Sequence, residues 1–267
     1  MIFTYFIKYL FKNIIKYDRI QIEKGGEIMS GHSKWATIHR KKGLIDAERG
    51  KIFQKIAKEI QVAAKGTNGD PDMNPGLRMV IEKARSNNMP KDNIQKAIDK
   101  AIGNGNDVNF ESIRYEGYAP HGIAIMIDCL TDNKNRTAML VRSTLTKRGG
   151  NLGTDGSVNY LFKRLGVIEI NKTIDFDTVM DLAIGADAND VIDNEESFII
   201  YTDPDKFLNV KKCFEENGIT EFIQSEVTYV PTNTISLSDE ECEKVMNLIE
   251  ALEEIDDVNN VYHNLDI

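Results

Sequence analysis

The residues whose types and spacing carry the clearest chemistry are cations. Residues 30–43 read Ser-Gly-His-Ser-Lys-Trp-Ala-Thr-Ile-His-Arg-Lys-Lys-Gly. They hold Lys34, Arg40, Lys41 and Lys42, two of the four histidines (His32 and His39), and the single tryptophan, Trp35. Lys51, Lys55 and Lys58 follow at steps of four and three, a spacing that lines one flank of a helix. A second group lies in residues 134–164, where Lys134, Arg136, Arg142, Lys147, Arg148, Lys163 and Arg164 face one acid, Asp155. Cations at this density neutralise phosphates and release counterions. Trp35 beside Lys34 would let a base stack next to a phosphate contact. The same ring would serve equally as a packed core residue, since tryptophan is highly buried on average.

Other chemistries find less support. There is no Walker lysine loop, no His-Glu-x-x-His and no Gly-x-Ser-x-Gly. The glycine-rich run at residues 149–156 could approach a phosphate through its N–H groups. It follows a helical pattern instead of opening one, so the dinucleotide fingerprint fails, and an enzyme built on this loop is the lesser alternative. Asp128, Asp132 and Asp155 read as a helix cap and two solvated turn residues in preference to metal ligands. His32 and His39 have no acidic partner before Asp46. The acids of the last helical segment read as a solvated face. Cys129, Cys213 and Cys242 are odd in number and far apart, against a disulfide framework or a zinc site of usual spacing. The expectation is a non-enzymatic, cytoplasmic protein without cofactor or metal.

The elements that position these cations follow from charge and period. The 267 residues carry a net charge of −9, with 41% apolar and 28% charged residues, a globular composition with ample material for buried cores. Residues 29–105 hold 15 Lys+Arg against 8 Asp+Glu, a balance of +7. Residues 106–267 hold 13 against 31, a balance of −18. Screening limits the reach of a charge to about 10 Å, so location outweighs the acidic total.

Residues 30–43 lack a sustained apolar period and read as a basic arm. Over residues 46–65 the signal is helical. Ile52, Phe53, Ile56, Ala57, Ile60, Ala63 and Ala64 fall within roughly 0–140° at about 100° per residue. Lys51, Lys55, Lys58 and Lys65 fall within roughly 220–300° on that wheel, a solvated stripe. Gly66 is placed to cap this helix. Further helices open near Pro75 and Pro90, with Leu77, Val80, Ile81 and Ala84, then Ile94, Ala97, Ile98, Ala101 and Ile102, inward. Three short helices make a bundle. Beyond residue 106, strands are expected at 113–118, 123–130, 160–170, 197–202, 222–230 and 258–263. Helices are expected from Asp132 to 148, at 176–184, from Asp203-Pro204 to 217, and from Ser238 to 255. This alternation gives α+β layers of antiparallel sheet with helices on one face.

Residues 1–28 carry too many lysines for a membrane span and lack a small-residue cleavage site. Lys24-Gly25-Gly26-Glu27 can encode a purine-rich ribosome-binding sequence ahead of Met29. The stretch is read as translated upstream sequence, with Met29 the natural start. If it is native, an amphipathic membrane-surface helix is the alternative; otherwise no membrane partner is expected.

The motifs themselves resemble a family. Ser30-Gly31-His32-Ser33-Lys34-Trp35, Ile38-His39-Arg40-Lys41-Lys42, Gly50-Lys51-Ile52-Phe53, Asn74-Pro75-Gly76-Leu77-Arg78 and Asn88-Met89-Pro90-Lys91-Asp92-Asn93-Ile94 are similar to the YebC/PmpR family. So are Tyr115-Glu116-Gly117-Tyr118, Leu130-Thr131-Asp132-Asn133-Lys134-Asn135-Arg136-Thr137, Gly149-Gly150-Asn151-Leu152-Gly153, Gly156-Ser157-Val158, Asp256-Asp257-Val258 and Tyr262-His263-Asn264. Asn259, Lys163 and Leu165 depart from that pattern. The resemblance implies a helical bundle over 29–106, a second domain from 107–152 plus 232–267, and a third from 153–231 inserted in it, both of ferredoxin-like α+β character. It implies either a DNA-binding transcriptional regulator or a ribosome-associated factor that helps translation through proline-rich stretches, as for the mitochondrial translational activator of cytochrome oxidase.

Residue chemistry favours the second. Base discrimination in a duplex groove needs Arg, Asn or Gln, whereas lysine suits phosphate contact. The expected partners are ribosomal RNA and the ribosome, with duplex DNA the alternative and a protein–protein adaptor a further one. The expected contacts are His32, Lys34, Trp35, His39, Arg40, Lys41, Lys42, Lys51, Lys55 and Lys58, with Lys134, Arg136, Lys147 and Arg148 from the second group. Oligomeric state is not legible.

Overall fold

The computed structural model describes residues 33–65, 67–103 and 110–266, and side chains from residue 49 onward. The readings of residues 1–28, of His32 and of the Gly66 cap fall outside the described residues. Residues 33–54 belong to one compact unit, and Lys55–Asp266 make a second.

Helix α1 spans Ser33–Ala64, so the expected arm is helical from Ser33. The reason is local. No proline interrupts residues 33–50, and Ala, Lys, Arg, Leu and Glu make up half of them. These residues favour helix whether or not an apolar stripe is present. Within α1, Ile56, Ile60 and Ala64 are buried, one face at four-residue steps. Ile52, expected inward, is 42% exposed.

Helix α2, Pro75–Ser86, starts as its proline dictates, and Asn74 Oδ1 caps it by accepting from Leu77 N at 3.0 Å. Asn74 Nδ2 also donates to the Ala63 carbonyl oxygen, which ties the start of α2 to the end of α1. Helix α3 is Lys91–Ile102, with Pro90 at its N-cap. Leu77, Ile81, Ala84, Ile94, Ala97 and Ile98 form the buried faces, while Ile102 is exposed, against expectation. Gly69 lets the connecting turn close on α3: its φ is +75°, and a Cβ there would stand 2.8 Å from Ile98.

Two four-stranded antiparallel sheets follow. The first contains β1 (Glu111–Tyr118), β2 (Ala124–Thr131), β3 (Asn151–Leu152) and β9 (Val258–His263), in the order β3-β1-β2-β9. Its hairpin pairs Glu111 with Thr131 and Tyr118 with Ala124. His121 (φ 63°) and Gly122 (φ 77°) turn the chain between them. Helices α4 (Lys134–Lys147) and α7 (Asp239–Glu253) accompany this sheet. The cap of α4 is Asn133, whose Oδ1 accepts from Arg136 N; Asp132, expected in that role, instead meets the Arg136 guanidinium. Ser238 and Glu241 form a reciprocal capping box at α7, the arrangement that Ser-x-x-Glu predicts.

The second sheet contains β4 (Phe162–Asn171), β5 (Asp190–Asp193), β6 (Ser197–Thr202) and β7 (Gln224–Pro231), in the order β5-β6-β4-β7. With α5 (Phe176–Gly185) and α6 (Phe207–Glu216) this is a βαββαβ, ferredoxin-like layer. Its core includes Ile168, Ile170, Val179, Ile200, Val210 and Phe214. The chain then returns to the first sheet through β9, so the second α+β layer is an insertion. A short parallel pair, β8 (Ile235–Ser236) with β10 (Leu265–Asp266), completes the fold. The short strands β3, β5, β8 and β10 go beyond the expectation from sequence; two to four residues carry too little pattern to read.

Candidate nucleic-acid interface

Lys34, Trp35, His39, Arg40, Lys41 and Lys42 sit on the first turns of α1; their side chains fall outside the described residues. Lys51 is exposed and makes no ion pair among the described residues. Between Ser33 and Phe53 the helix carries two arginines, no asparagine and no glutamine. Such a surface holds phosphates and is poor in the side chains that read base edges.

Lys55 and Lys58 are placed differently from the solvated stripe expected of them. Lys55 Nζ donates to the Glu253 carbonyl oxygen at 2.8 Å, and Lys58 Nζ to the Asp256 carbonyl oxygen at 2.7 Å. These carbonyls belong to the last turn of α7 and the chain just after it, the negative end of the helix dipole. Lys58 also stands 3.8 Å from Asp257 Oδ1 and 5.6 Å from the Phe110 ring centroid. The next turn of α1 continues the seam. Glu59 accepts from Lys83 Nζ at 2.8 Å and from Asn259 Nδ2 at 2.9 Å. The two lysines are therefore partners of the protein's own backbone. The helical wheel located their flank correctly but could not show that the C-terminal end of α7 lies against it.

Asp257 is the hub of this seam. Its Oδ2 accepts from Arg136 Nη2 at 2.7 Å, from Thr137 at 2.9 Å and from Thr131 at 3.2 Å. Its carbonyl oxygen accepts from Leu130 N. Burial alone would raise the Asp257 carboxyl, but the bonds from Arg136 and Thr137 outweigh it, and the group is held below the usual carboxylate range. Lys58, Phe110, Asp132, Arg136, Leu140 and Asp257 help to line a cleft of about 540 Å³. Of the second cationic group, Lys134 pairs with Glu111 and Arg136 with Asp132 and Asp257. Arg142, Lys147, Arg148, Lys163 and Arg164 are exposed, with no ion pair among the described residues.

The glycine-rich loop does bind an anion, but an internal one. Glu116, on β1, accepts from Gly156 N at 2.9 Å, Val158 N at 2.7 Å and Asn159 N at 2.8 Å. Burial pushes this carboxyl up; the three N–H bonds push it down further, and the balance is below the ordinary glutamate range. Within residues 149–156, Gly156 N is taken by the Glu116 carboxylate, Gly153 N by the Glu116 carbonyl oxygen, and Gly149 N and Gly150 N by the carbonyls of Thr146 and Leu145, so these N–H groups are not open to a phosphate. Asp128, read as a solvated turn residue, lies on β2 and accepts a two-pronged bond from Arg114, at 2.6 and 2.8 Å. The Arg114 guanidinium stacks 4.3 Å from the centroid of Tyr229 on β7, joining the two sheets. Glu116 and Asp257 had a sequence signal only as members of the family's motifs. Among the described residues, no group of His, Cys, Asp and Glu is arranged to hold a metal ion, and no helix is long and apolar enough to cross a membrane.

This combination of a basic helical leader and two α+β layers, one inserted in the other, defines a class of three-part proteins with known members. Residues 33–104 match the TACO1/YebC protein N-terminal domain, and residues 110–265 match the TACO1/YebC second and third domain. The chain belongs to the TACO1/YebC family. A relative from Geobacillus thermodenitrificans, named "Probable transcriptional regulatory protein", is 52% identical over 241 residues, covering 89% of this chain and 97% of the relative. One of the same name from Nitrosococcus oceani is 48% identical over 239 residues, covering 89% and 96%. A conserved hypothetical protein from Aquifex aeolicus, known from its crystal structure, is 43% identical with a TM-score of 0.72, covering 84% of this chain and 92% of that one.

Proposed function

We propose that this chain is a non-enzymatic regulator of gene expression that binds nucleic acid through the leading turns of α1, with ribosomal RNA as its target and assistance to translation through proline-rich stretches as its role. The observation that supports it is the make-up of residues 33–53: Lys34, Arg40, Lys41, Lys42, Arg49 and Lys51 on one continuous helix, without asparagine or glutamine. Phosphate contact is what these side chains do best. The acidic remainder of the chain repels phosphate and so orients the basic turns toward it. Lys55 and Lys58 drop out of the contact set, because their ammonium groups are bonded within the protein.

The names of the relatives favour a second reading, a DNA-binding transcriptional regulator. Co-sedimentation with large ribosomal subunits, measured as salt is raised, separates the two. Salt-sensitive co-sedimentation supports the ribosomal reading. No co-sedimentation, together with about a thousandfold or greater preference for one duplex sequence over random duplex, supports the DNA reading.

A further inference from the structure

We propose that the turn carrying Tyr160 is a binding site for an unpaired RNA base, with Lys163 and Arg164 taking the phosphates beside it. The site lies on the inserted layer and is separate from the leading turns of α1. It rests on the reading that the chain binds RNA.

Tyr160 sits on a short 3-10 turn, Asn159–Leu161, that leads into β4. The turn is held at both ends. The Glu116 carboxylate accepts from Gly156 N, Val158 N and Asn159 N, and the Leu161 carbonyl oxygen accepts from both Thr232 N and Thr232 Oγ1. The flanking Val158 and Phe162 are buried, packed with Ala124 and Met126 of β2. Between these anchors the Tyr160 ring is 70% exposed, with no hydrogen-bond or ring partner among the described residues. A free ring on a fixed backbone is a preorganised stacking platform, because folding has already ordered the segment that carries it.

The charge beside the ring is mostly of one sign. Residues 149–166 and the paired end of β7, residues 227–234, hold Lys163 and Arg164 against one acid, Asp155. Both cations are exposed and have no ion pair among the described residues. Successive strand residues point to opposite faces, so Lys163 and Arg164 stand on either side of the strand that the turn feeds. Three and four residues of chain separate them from Tyr160, a span of at most about 11 and 14 Å.

This combination selects its occupant. Over residues 149–166 and 227–237, Tyr160 is the only large apolar side chain that is exposed, and Asn159, Thr232 and Asn233 around the turn are exposed and polar. A protein partner needs a wider apolar patch to make a desolvated interface core. One ring with cations beside it matches a base and its phosphates. Paired bases keep their faces stacked within the helix, so the occupant is a single strand with a base free to splay out.

The test uses the full chain with a short unstructured RNA, a duplex RNA of the same length, and polyglutamate as an anion without bases. Tyr160→Ala is expected to weaken binding of the single strand about tenfold and Tyr160→Phe to preserve it. Tyr160→Ala should leave duplex and polyglutamate binding unchanged. Changing Lys163 and Arg164 together to Gln should lower the salt slope for the single strand by about 0.7 for each phosphate released. Because Tyr160 is exposed, its changes should leave the thermal unfolding curve in place. The proposal is overturned if Tyr160→Ala keeps full affinity for the single strand, if Tyr160→Phe binds as weakly as Tyr160→Ala, or if the loss is equal for polyglutamate. It is also overturned if the Lys163 and Arg164 change leaves the slope untouched. Any of these results alongside weakened RNA binding on changing Arg40, Lys41 and Lys42 to Gln leaves the reading of α1 standing, whereas a wild-type chain that binds no RNA overturns both.

Discussion

Lys58 Nζ donates to the carbonyl oxygen of Asp256 at 2.7 Å, 198 residues along the chain. With Lys55 on the Glu253 carbonyl, it fixes one turn of α1 to the end of α7. A lysine pattern that reads as a polyanion stripe is here, in part, a helix-end clamp. The carbonyls left open by the last turn of a helix are weak anions in effect, and a lysine answers them as it would a phosphate.

Replacing Lys55 and Lys58 by Gln should therefore lower stability, by about 1–3 kcal/mol for the pair, as expected for charge-assisted bonds in a partly solvated seam. Urea unfolding of the single and double variants measures this. A double variant as stable as the wild type would contradict the clamp.

Asp257→Asn removes the charge that Arg136 and Lys58 share while keeping the side chain's shape. The loss should be about 2–3 kcal/mol near neutral pH, reduced by the partial exposure of Arg136. The folded carboxyl is depressed, so its stabilising effect is complete above the ordinary aspartate range and is lost as pH falls through the folded value. The wild-type chain should thus lose its advantage over the variant in acid, as unfolding midpoints at several pH values would show.

His263 gives the opposite chemistry with the same sign in acid. It is buried, its Nδ1 has no hydrogen-bond partner among the described residues, and burial pushes its pKa down to about 4. The unfolded chain takes up this proton near the ordinary value of 6.5. Stability should then fall as pH drops from 6.5 toward 4, by roughly 3 kcal/mol in all. His263→Phe should flatten that part of the profile. An unchanged slope would show that other groups produce it.

Glu116→Gln should loosen residues 153–159, because a neutral amide oxygen replaces a carboxylate that accepts three N–H bonds. Amide exchange at Gly156, Val158 and Asn159 should accelerate by about tenfold or more, for a local loss of about 1.5–3 kcal/mol.

The fold was legible where period and capping chemistry were strong. Ser238, Pro75 and the stripe Ile56, Ile60, Ala64 each announced their element, while the partners Glu241 and Asn74 at two of these helix starts came to light only in the folded chain. Four short strands had too few residues to announce themselves, and helix over residues 33–45 needed no apolar stripe to form. The candidate site was half legible. Composition located the cations, but which cations face solvent depends on contacts far away in sequence. Lys55 and Lys58 lie in the same lysine pattern as Lys51, and only the folded position of Glu253 and Asp256 tells them apart. Asp132 was read as the cap of α4, but the hydrogen-bond geometry gives that role to the next residue, Asn133.

The most direct test of the central claim is the salt dependence of binding to a ribosomal RNA fragment by two variants. Changing Arg40, Lys41 and Lys42 to Gln should reduce the slope of log K against log salt by about 0.7–0.9 for each phosphate that is no longer neutralised, and changing Lys55 and Lys58 to Gln should leave that slope alone. A slope untouched by the first variant, or lowered by the second as much as by the first, would contradict the assignment of the grip to the leading turns of α1.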